Sequence, residues 1–247
     1  MKEKSSNPTT IVVCAVIIIL SIGIGGFFIA RSMSSQGGNN GQEEAKLEID
    51  VSKYDTKTVI KADENNGNIG DHVRGNAESK VVVVEYADLQ CPGCAGMMPQ
   101  MHKLYETYGD RVAFVFRHFP LTSHVNSRPA SAAVEAAGLQ GKYWEMLETL
   151  YSNRGEWISE SGEKLTEALV KIFKDIAPEG DESKFRNDMK DMNIIRKIEF
   201  DHKLGDEKDN VDATPSIYVN GEVVDIDKAE TIGDFAALVE EAIKAAL

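Results

Sequence analysis

The chain opens on an uncharged run, residues 11–30, dominated by Ile, Val, Gly and Phe. A helix of about twenty residues rises about 30 Å, the thickness of a bilayer's hydrocarbon core. The run therefore predicts a transmembrane signal anchor, with residues 1–10 as a cytoplasmic amino terminus. Lys2 and Lys4 precede it and Arg31 and Lys46 follow it, a balance tilted slightly toward an amino terminus inside. A cleaved signal peptide is the alternative. However, the run exceeds the ~7–15 residues of a signal's apolar region, and Arg31 sits poorly between the small residues Ala30 and Ser32. Residues 31–70 read as a linker and extended arm. Ser, Gly, Asn and Gln fill almost all of 32–41, and apolar positions return only weakly at Leu47, Ile49 and Val51.

From residue 71 onward the pattern is that of a folded domain, 71–247. Four consecutive valines, Val81 to Val84, predict a strand buried on both faces. Met97, Met98, Met101, Leu104, Tyr105 and Tyr108 then recur at helical spacing and end at Gly109-Asp110. Val112 to Phe116 predicts a second strand, so the segment is a βαβ unit with parallel strands. A helical insertion over about 121–208 follows. Its apolar faces are Ala133, Ala137, Trp144, Leu147 and Tyr151; Leu165, Leu169, Ile172, Phe173 and Ile176; and Phe185, Met189, Met192 and Ile195. Residues 216–219 and 222–225 flank Asn220-Gly221, a strong hairpin signal. A last helix opens at Thr231 with Asp234 three residues on, a variant capping box. The order β-α-β, helices, β-β-α describes an α/β fold.

Composition narrows the class. At 247 residues and 42 % hydrophobic, the chain has room for one globular domain plus an appendage. Lys plus Arg total 27 against 40 Asp plus Glu, a net charge of −13. Phosphate binding needs clustered cations, so nucleic acid is not an expected partner. Three cysteines are too few for a disulfide-stapled scaffold. Cys14 lies within the apolar run and reads as a small lipid-facing residue. Asp206, Glu207, Asp209 and Asp212 form an acidic cluster that lacks the glycine and terminal glutamate of a calcium loop, and reads as a solvated face.

The remaining cysteines carry the chemistry. Cys91-Pro92-Gly93-Cys94 follows a strand and opens a helix. Unpaired N–H groups at a helix start favour negative charge, so the Cys91 thiolate is stabilised and its pKa falls. Pro92 suits the first helical position. Cys94 lies one turn on, close enough to close a small disulfide, and a low-pKa thiolate leaves readily when that disulfide is attacked. A structural zinc site is one alternative, but no second Cys pair exists, and His102, His118 and His124 show no paired spacing. An inert disulfide is another, yet so short a loop stabilises little.

Glu85-Tyr86-Ala87-Asp88-Leu89-Gln90-Cys91-Pro92-Gly93-Cys94 resembles the active-site segment of the DsbA-like thioredoxin superfamily, in particular its membrane-anchored extracytoplasmic, BdbD-type group. The resemblance extends to Asp71 to Asn76, Phe116 to Leu121, Gln140 to Met146 and Thr214 to Gly221, and covers about residues 71–247. It implies a thioredoxin-like fold with a helical insertion between the βαβ and ββα halves. Pro215 matches the cis-proline facing the cysteines, which leaves the Thr214 backbone to pair with substrate peptide. Glu85 matches a buried acid beneath Cys94, with a pKa raised by burial, that takes the Cys94 proton through water. The alternative for Glu85 is a salt bridge. His118 and His124 match common positions and are expected to be structural. Three departures stand out: Pro92-Gly93 lacks the histidine of DsbA itself, Ala213 stands where glycine is common, and Leu89 replaces a frequent phenylalanine.

The implied activity is an extracytoplasmic thiol:disulfide oxidoreductase that introduces disulfides into unfolded exported proteins with free cysteines. It would be anchored by residues 11–30 and reoxidised by a membrane quinone-linked oxidase. No metal and no cofactor are expected beyond the Cys91–Cys94 disulfide. A reductase or isomerase of the same fold, and an anchored binding module without redox activity, are the rivals.

Overall fold

The computed structural model describes residues 48–247. The expected anchor at 11–30, with Cys14, and the linker up to residue 47 lie outside the described residues. Among those described, no helix is long and apolar enough to cross a membrane.

The sheet has the order β1-β3-β2-β4-β5, with β1 (Val73–Gly75), β2 (Val81–Ala87), β3 (Val112–His118), β4 (Ser216–Val219) and β5 (Glu222–Val223). β2 and β3 run parallel, joined by α1 (Pro92–Tyr108), and the other pairs are antiparallel. Every residue of β2 and β3 is buried, as expected of central strands covered on both faces. Alternation sorts the two faces. Val81 and Val83 pack with Met97 and Met101 of α1 and with Phe235 and Val239 of α7 (Ile232–Ala246). Val82, Val84 and Tyr86 pack with Ile49, Val51, Ile60, Phe200 and Leu204. Glu85 therefore shares the α1 face with Val81 and Val83. β1, only three residues long, had no alternation to reveal it.

The compact unit runs from Lys46 to Leu247. From residue 48 the extended arm lies along the folded domain and packs against it. The Arg117 guanidinium reaches the Thr56 and Thr58 carbonyls at 3.1 Å each, and Ile49, Val51 and Ile60 are buried.

Between β3 and β4 lie α2 (Ser127–Gly138), α3 (Tyr143–Ser152), α4 (Gly162–Ile176), α5 (Glu182–Asp188) and α6 (Met192–Leu204). Their core of Leu147, Trp157, Leu169, Phe173 and Phe185 is continuous with Cys91 and Cys94. Two apolar stripes that read as single helical faces are broken. Asp191 caps α6 by accepting from the Asn193 N–H at 2.7 Å, so Phe185 and Ile195 fall on separate helices and Met192 is 57 % exposed. A turn over 139–142, with Gly141 at φ 75°, separates Ala137 from Trp144. At the hairpin, Asn220 (φ 50°) and Gly221 (φ 78°) are both left-handed, the geometry a two-residue hairpin turn needs. β5 stops at Val223, short of residue 225. Thr231 and Asp234 form the capping box reciprocally.

The matching segments around Asp71 and Arg117 meet in a buried ionic network. Arg117 pairs Asp71 at 2.8 Å, and Lys197 reaches Asp71 at 3.3 Å and Asp201 at 2.7 Å. Glu135 accepts from His72 Nε2 at 2.9 Å and His118 Nε2 at 3.1 Å. Removing one member of such a set leaves an uncompensated buried charge, at a cost of about 3–5 kcal/mol.

Candidate active site

Cys91 is the N-cap of α1 (φ −70°, ψ 127°), with Pro92 at the first helical position. Extended backbone at that residue turns the end of β2 into the helix and brings both thiols to the carboxyl end of the central strands. Cys91 keeps 7 % of its surface exposed and Cys94 none, and both are free thiols.

The turn before β4 faces them. Cys91 Sγ donates to the Thr214 carbonyl at 3.3 Å, and the Thr214–Pro215 bond is cis. A Cβ at Gly93 would lie 3.3 Å from Pro215 Cδ and 3.6 Å from Cys91 Sγ, so the glycine leaves room for this close approach. Cys91, Pro92, Gly93, Cys94, Thr214 and Pro215 are thus brought into one cluster.

The two thiols are pushed in opposite directions. A hydrogen bond from the Cys94 thiol is the largest influence on Cys91. With the Thr214 side chain and the N–H groups of Cys94 and Gly93, it outweighs burial and pulls the Cys91 pKa down to about 5. Burial pushes Cys94 well above its ordinary value, and the charges of Cys91 and Glu85 add to this. One sulfur is a ready thiolate at neutral pH while its neighbour holds its proton.

Glu85 is 2 % exposed, and neither carboxylate oxygen has a hydrogen-bond partner. The salt bridge considered for it does not form. Burial alone pushes its pKa up to about 8, so at neutral pH it is mostly the neutral acid.

Sequence reasoning assigned no role to several residues around the turn. Asp88, fully buried, accepts from the N–H groups of Gln90 (2.6 Å), Cys91 (3.2 Å) and Leu121 (2.8 Å) and pairs with His124 Nδ1 (2.9 Å). The Tyr151 hydroxyl donates to the Asp88 carbonyl at 3.2 Å. Arg154 Nη1 donates to the Leu89 and Cys91 carbonyls, each at 3.2 Å, and Nη2 to the Gln90 carbonyl at 2.8 Å. Asp88 carried a signal that was available: an acidic residue three before the N-cap cysteine, where short polar side chains bind nearby N–H groups. Arg154 carried none, being more than sixty positions from its acceptors.

The three histidines weighed as zinc ligands each face a carboxylate instead of the thiols: His102 faces Glu106 and Glu148, His118 faces Glu135, and His124 faces Asp88. Among the described residues, His118, Glu135 and Asp201 bring ligand atoms within 4.8 Å of one another. Lys197 and His72 already pair those carboxylates, which disfavours a further cation there. The acidic cluster is divided. Asp209 accepts from Thr56 Oγ1 (2.6 Å) and Tyr86 Oη (2.7 Å), so it belongs to the packing of the arm rather than to a solvated face.

Comparison with known proteins agrees with this geometry. The thioredoxin family matches residues 67–241. The probable disulfide bond formation protein D of Bacillus cereus is 30 % identical over 163 residues, 62 % of this chain and 71 % of that protein. The Na(+)/H(+) antiporter NhaA 1 of Mycolicibacterium gilvum is 31 % identical over 157 residues, 61 % of this chain. The match spans only 23 % of the antiporter's length, so that name describes the larger protein. Among solved structures, a thioredoxin-like oxidoreductase from Silicibacter pomeroyi superposes with a TM-score of 0.57 at 25 % identity, covering 71 % of this chain and 91 % of that one. Oxidised BdbD from Bacillus subtilis superposes with a TM-score of 0.56 at 23 % identity, covering 76 % and 97 %. The chain belongs to the thioredoxin family, and its fold is the DsbA-like one, a thioredoxin-like α/β sheet with a helical insertion.

Proposed function

We propose that this protein is an extracytoplasmic thiol:disulfide oxidoreductase that introduces disulfides into exported proteins through Cys91 and Cys94. The observation that carries the reading is the split between the two thiols: Cys91 lowered to about 5 at the helix start beside Thr214 and Pro215, Cys94 raised and buried.

A substrate thiolate attacks Cys91 Sγ of the oxidised pair. The Cys91–Cys94 bond breaks, a mixed disulfide forms, and Cys94 leaves as a thiolate that takes up a proton. Neutral Glu85 is the donor, through water, and the same carboxylate accepts the Cys94 proton when the pair is reoxidised. A second substrate thiolate then attacks the substrate sulfur and Cys91 leaves as its stable thiolate. Two electrons have passed from substrate to enzyme. The Thr214 backbone pairs with the extended substrate peptide beside the cysteines. Reoxidation passes those electrons to a membrane quinone-linked oxidase, and residues 11–30 hold the domain at the outer face of the membrane.

A stabilised Cys91 thiolate favours the reduced enzyme and hence the oxidising direction over the reductase or isomerase. The relative named for disulfide bond formation supports the same direction. The test is equilibration with glutathione, together with C91A in an assay of reduced, unfolded protein. The expected results are a potential well above that of thioredoxin and complete loss of oxidation in C91A. A potential at or below thioredoxin's overturns the oxidising direction. Unchanged oxidation in C91A overturns the reading of Cys91 as the exchanging sulfur, and absence of oxidation in the wild type itself returns the protein to the class of anchored binding modules.

A further inference from the structure

We propose that Arg154 is a positioning residue for the exchange reaction: its guanidinium clamps the turn that carries Cys91 and stabilises the thiolate formed there. The inference rests on the reading of Cys91 as the exchanging sulfur and adds to it a group from the helical insertion.

The clamp is specific in shape. One planar fork bonds three consecutive carbonyls, Leu89, Gln90 and Cys91, at 2.8–3.2 Å. With Asp88, these residues make up the link between β2 and α1. The Cys91 carbonyl also accepts the first helical bond, from the Ala95 N–H at 3.2 Å. Arg154 thus grips the N-cap residue itself.

The charge is placed against the interest of the helix. A cation near a helix amino terminus meets the positive end of the macrodipole and destabilises it. Most other arginines are matched with acids, Arg74 with Glu148, Arg117 with Asp71, Arg128 with Glu199 and Arg186 with Glu167, while Arg196, which also lacks a carboxylate, donates to the Glu48 carbonyl away from any helix start. Among the described residues Arg154 has no carboxylate partner. Asp88, on the same turn, directs its two oxygens to Gln90, Cys91, Leu121 and His124. Glu156, in the same short turn as Arg154, pairs with Lys171. An unpaired cation at the positive end of a helix becomes favourable when an anion forms at the cap. The anion that the chemistry creates there is the Cys91 thiolate.

The consequence is redox-linked. In the disulfide form Cys91 carries no charge, and Arg154 then acts only as a hydrogen-bond donor. Two electrons and one proton, delivered by substrate thiols, convert the pair to a Cys91 thiolate and a Cys94 thiol. The guanidinium gains a counter-ion at that step. Arg154 therefore favours the reduced enzyme, supplying part of what the missing histidine of the Pro92-Gly93 dipeptide would otherwise provide.

The test measures Cys91 ionisation, by thiolate absorbance and by iodoacetamide rate against pH, in wild type, R154K and R154Q. In R154Q the Cys91 pKa is expected to rise from about 5 to about 6, with alkylation at about pH 5 slowed about fivefold. A tenfold loss of thiolate stabilisation lowers the reduction potential by about 30 mV. R154K keeps the charge but not the fork and is expected to fall between the two. An unchanged Cys91 pKa in folded R154Q overturns the inference while leaving the exchange chemistry intact. A wild-type Cys91 that titrates like a free thiol overturns the exchange reading itself. Should neither variant fold, the wild-type Arg154 side-chain nitrogen resonances decide. They are expected to move with the Cys91 midpoint and to stay still in C91A; resonances that do not follow Cys91 overturn the inference.

Discussion

Two glutamates lie fully inside this domain and their environments make opposite acids of them. Glu135, on α2, sits between His72 and His118. Burial works against its charge, yet the two imidazoles outweigh that and hold it well below the usual carboxylate range. Glu85, on β2, has no partner, and the same burial lifts it to about 8. Desolvation acts on both; what differs is whether a partner stands beside the carboxylate to answer it. Glu135 is a structural ion, whereas Glu85 is a proton held close to a thiol.

That contrast can be broken from either side. The largest effect belongs to E135A, which orphans the buried imidazole of His118 and the partly exposed one of His72. It is expected to destabilise by about 3–5 kcal/mol in urea unfolding at neutral pH, and a loss below about 1 kcal/mol would mean that Glu135 holds nothing together. E85Q should move the other way. The unfolded carboxyl ionises near its ordinary 4.5 while the folded one stays protonated to about 8. Over that window the wild type therefore loses stability as pH rises, by up to about 1.4 kcal/mol per pH unit. Below about pH 4, E85Q and wild type should unfold alike. By about pH 7, E85Q should be the more stable by about 3 kcal/mol, and a gap that does not widen with pH would place the carboxyl in water. In kinetics, formation of the Cys91–Cys94 bond in wild type should rise with an inflection near pH 8. E85Q should lose that inflection and run about tenfold slower or more at neutral pH. The smallest change is H72A. Its imidazole is 23 % exposed and His118 still serves Glu135, so a loss of about 1 kcal/mol is expected, read as a small drop in the urea midpoint.

Much of this was legible in advance because it rests on local rules. Four valines make a central strand, Asn220-Gly221 makes a hairpin, and Cys91-Pro92 makes a helix start whatever lies elsewhere. The reading stumbled where a cap overrides periodicity. Asp191 divides a stripe that looked continuous from Phe185 to Ile195, because a carboxylate that captures an N–H stops one helix and starts another. It also stumbled where partners are distant. Ile49 and Val51 read as an extended arm along the domain, but which sheet face they cover is visible only once Val82, Val84 and Tyr86 are known to point that way. The identity of the site residues came from spacing and resemblance. Asp88 lies within local reach of the turn it binds, whereas the approach of Arg154 from more than sixty positions away is one that no local pattern records.

The placement of the helical insertion has a consequence for how the molecule is made. β2 pairs on one side with β3, a helix away, and on the other with β4, where Val83 meets Val219. Contacts so far apart along the chain close late and slowly, and synthesis delivers the amino-terminal half first. The thiols emerge from the ribosome well before Pro215 can face them. A nascent chain thus carries its two cysteines for a time without the cis-proline turn that faces them in the folded domain, and the cluster of Cys91, Cys94, Thr214 and Pro215 is complete only once β4 has been made.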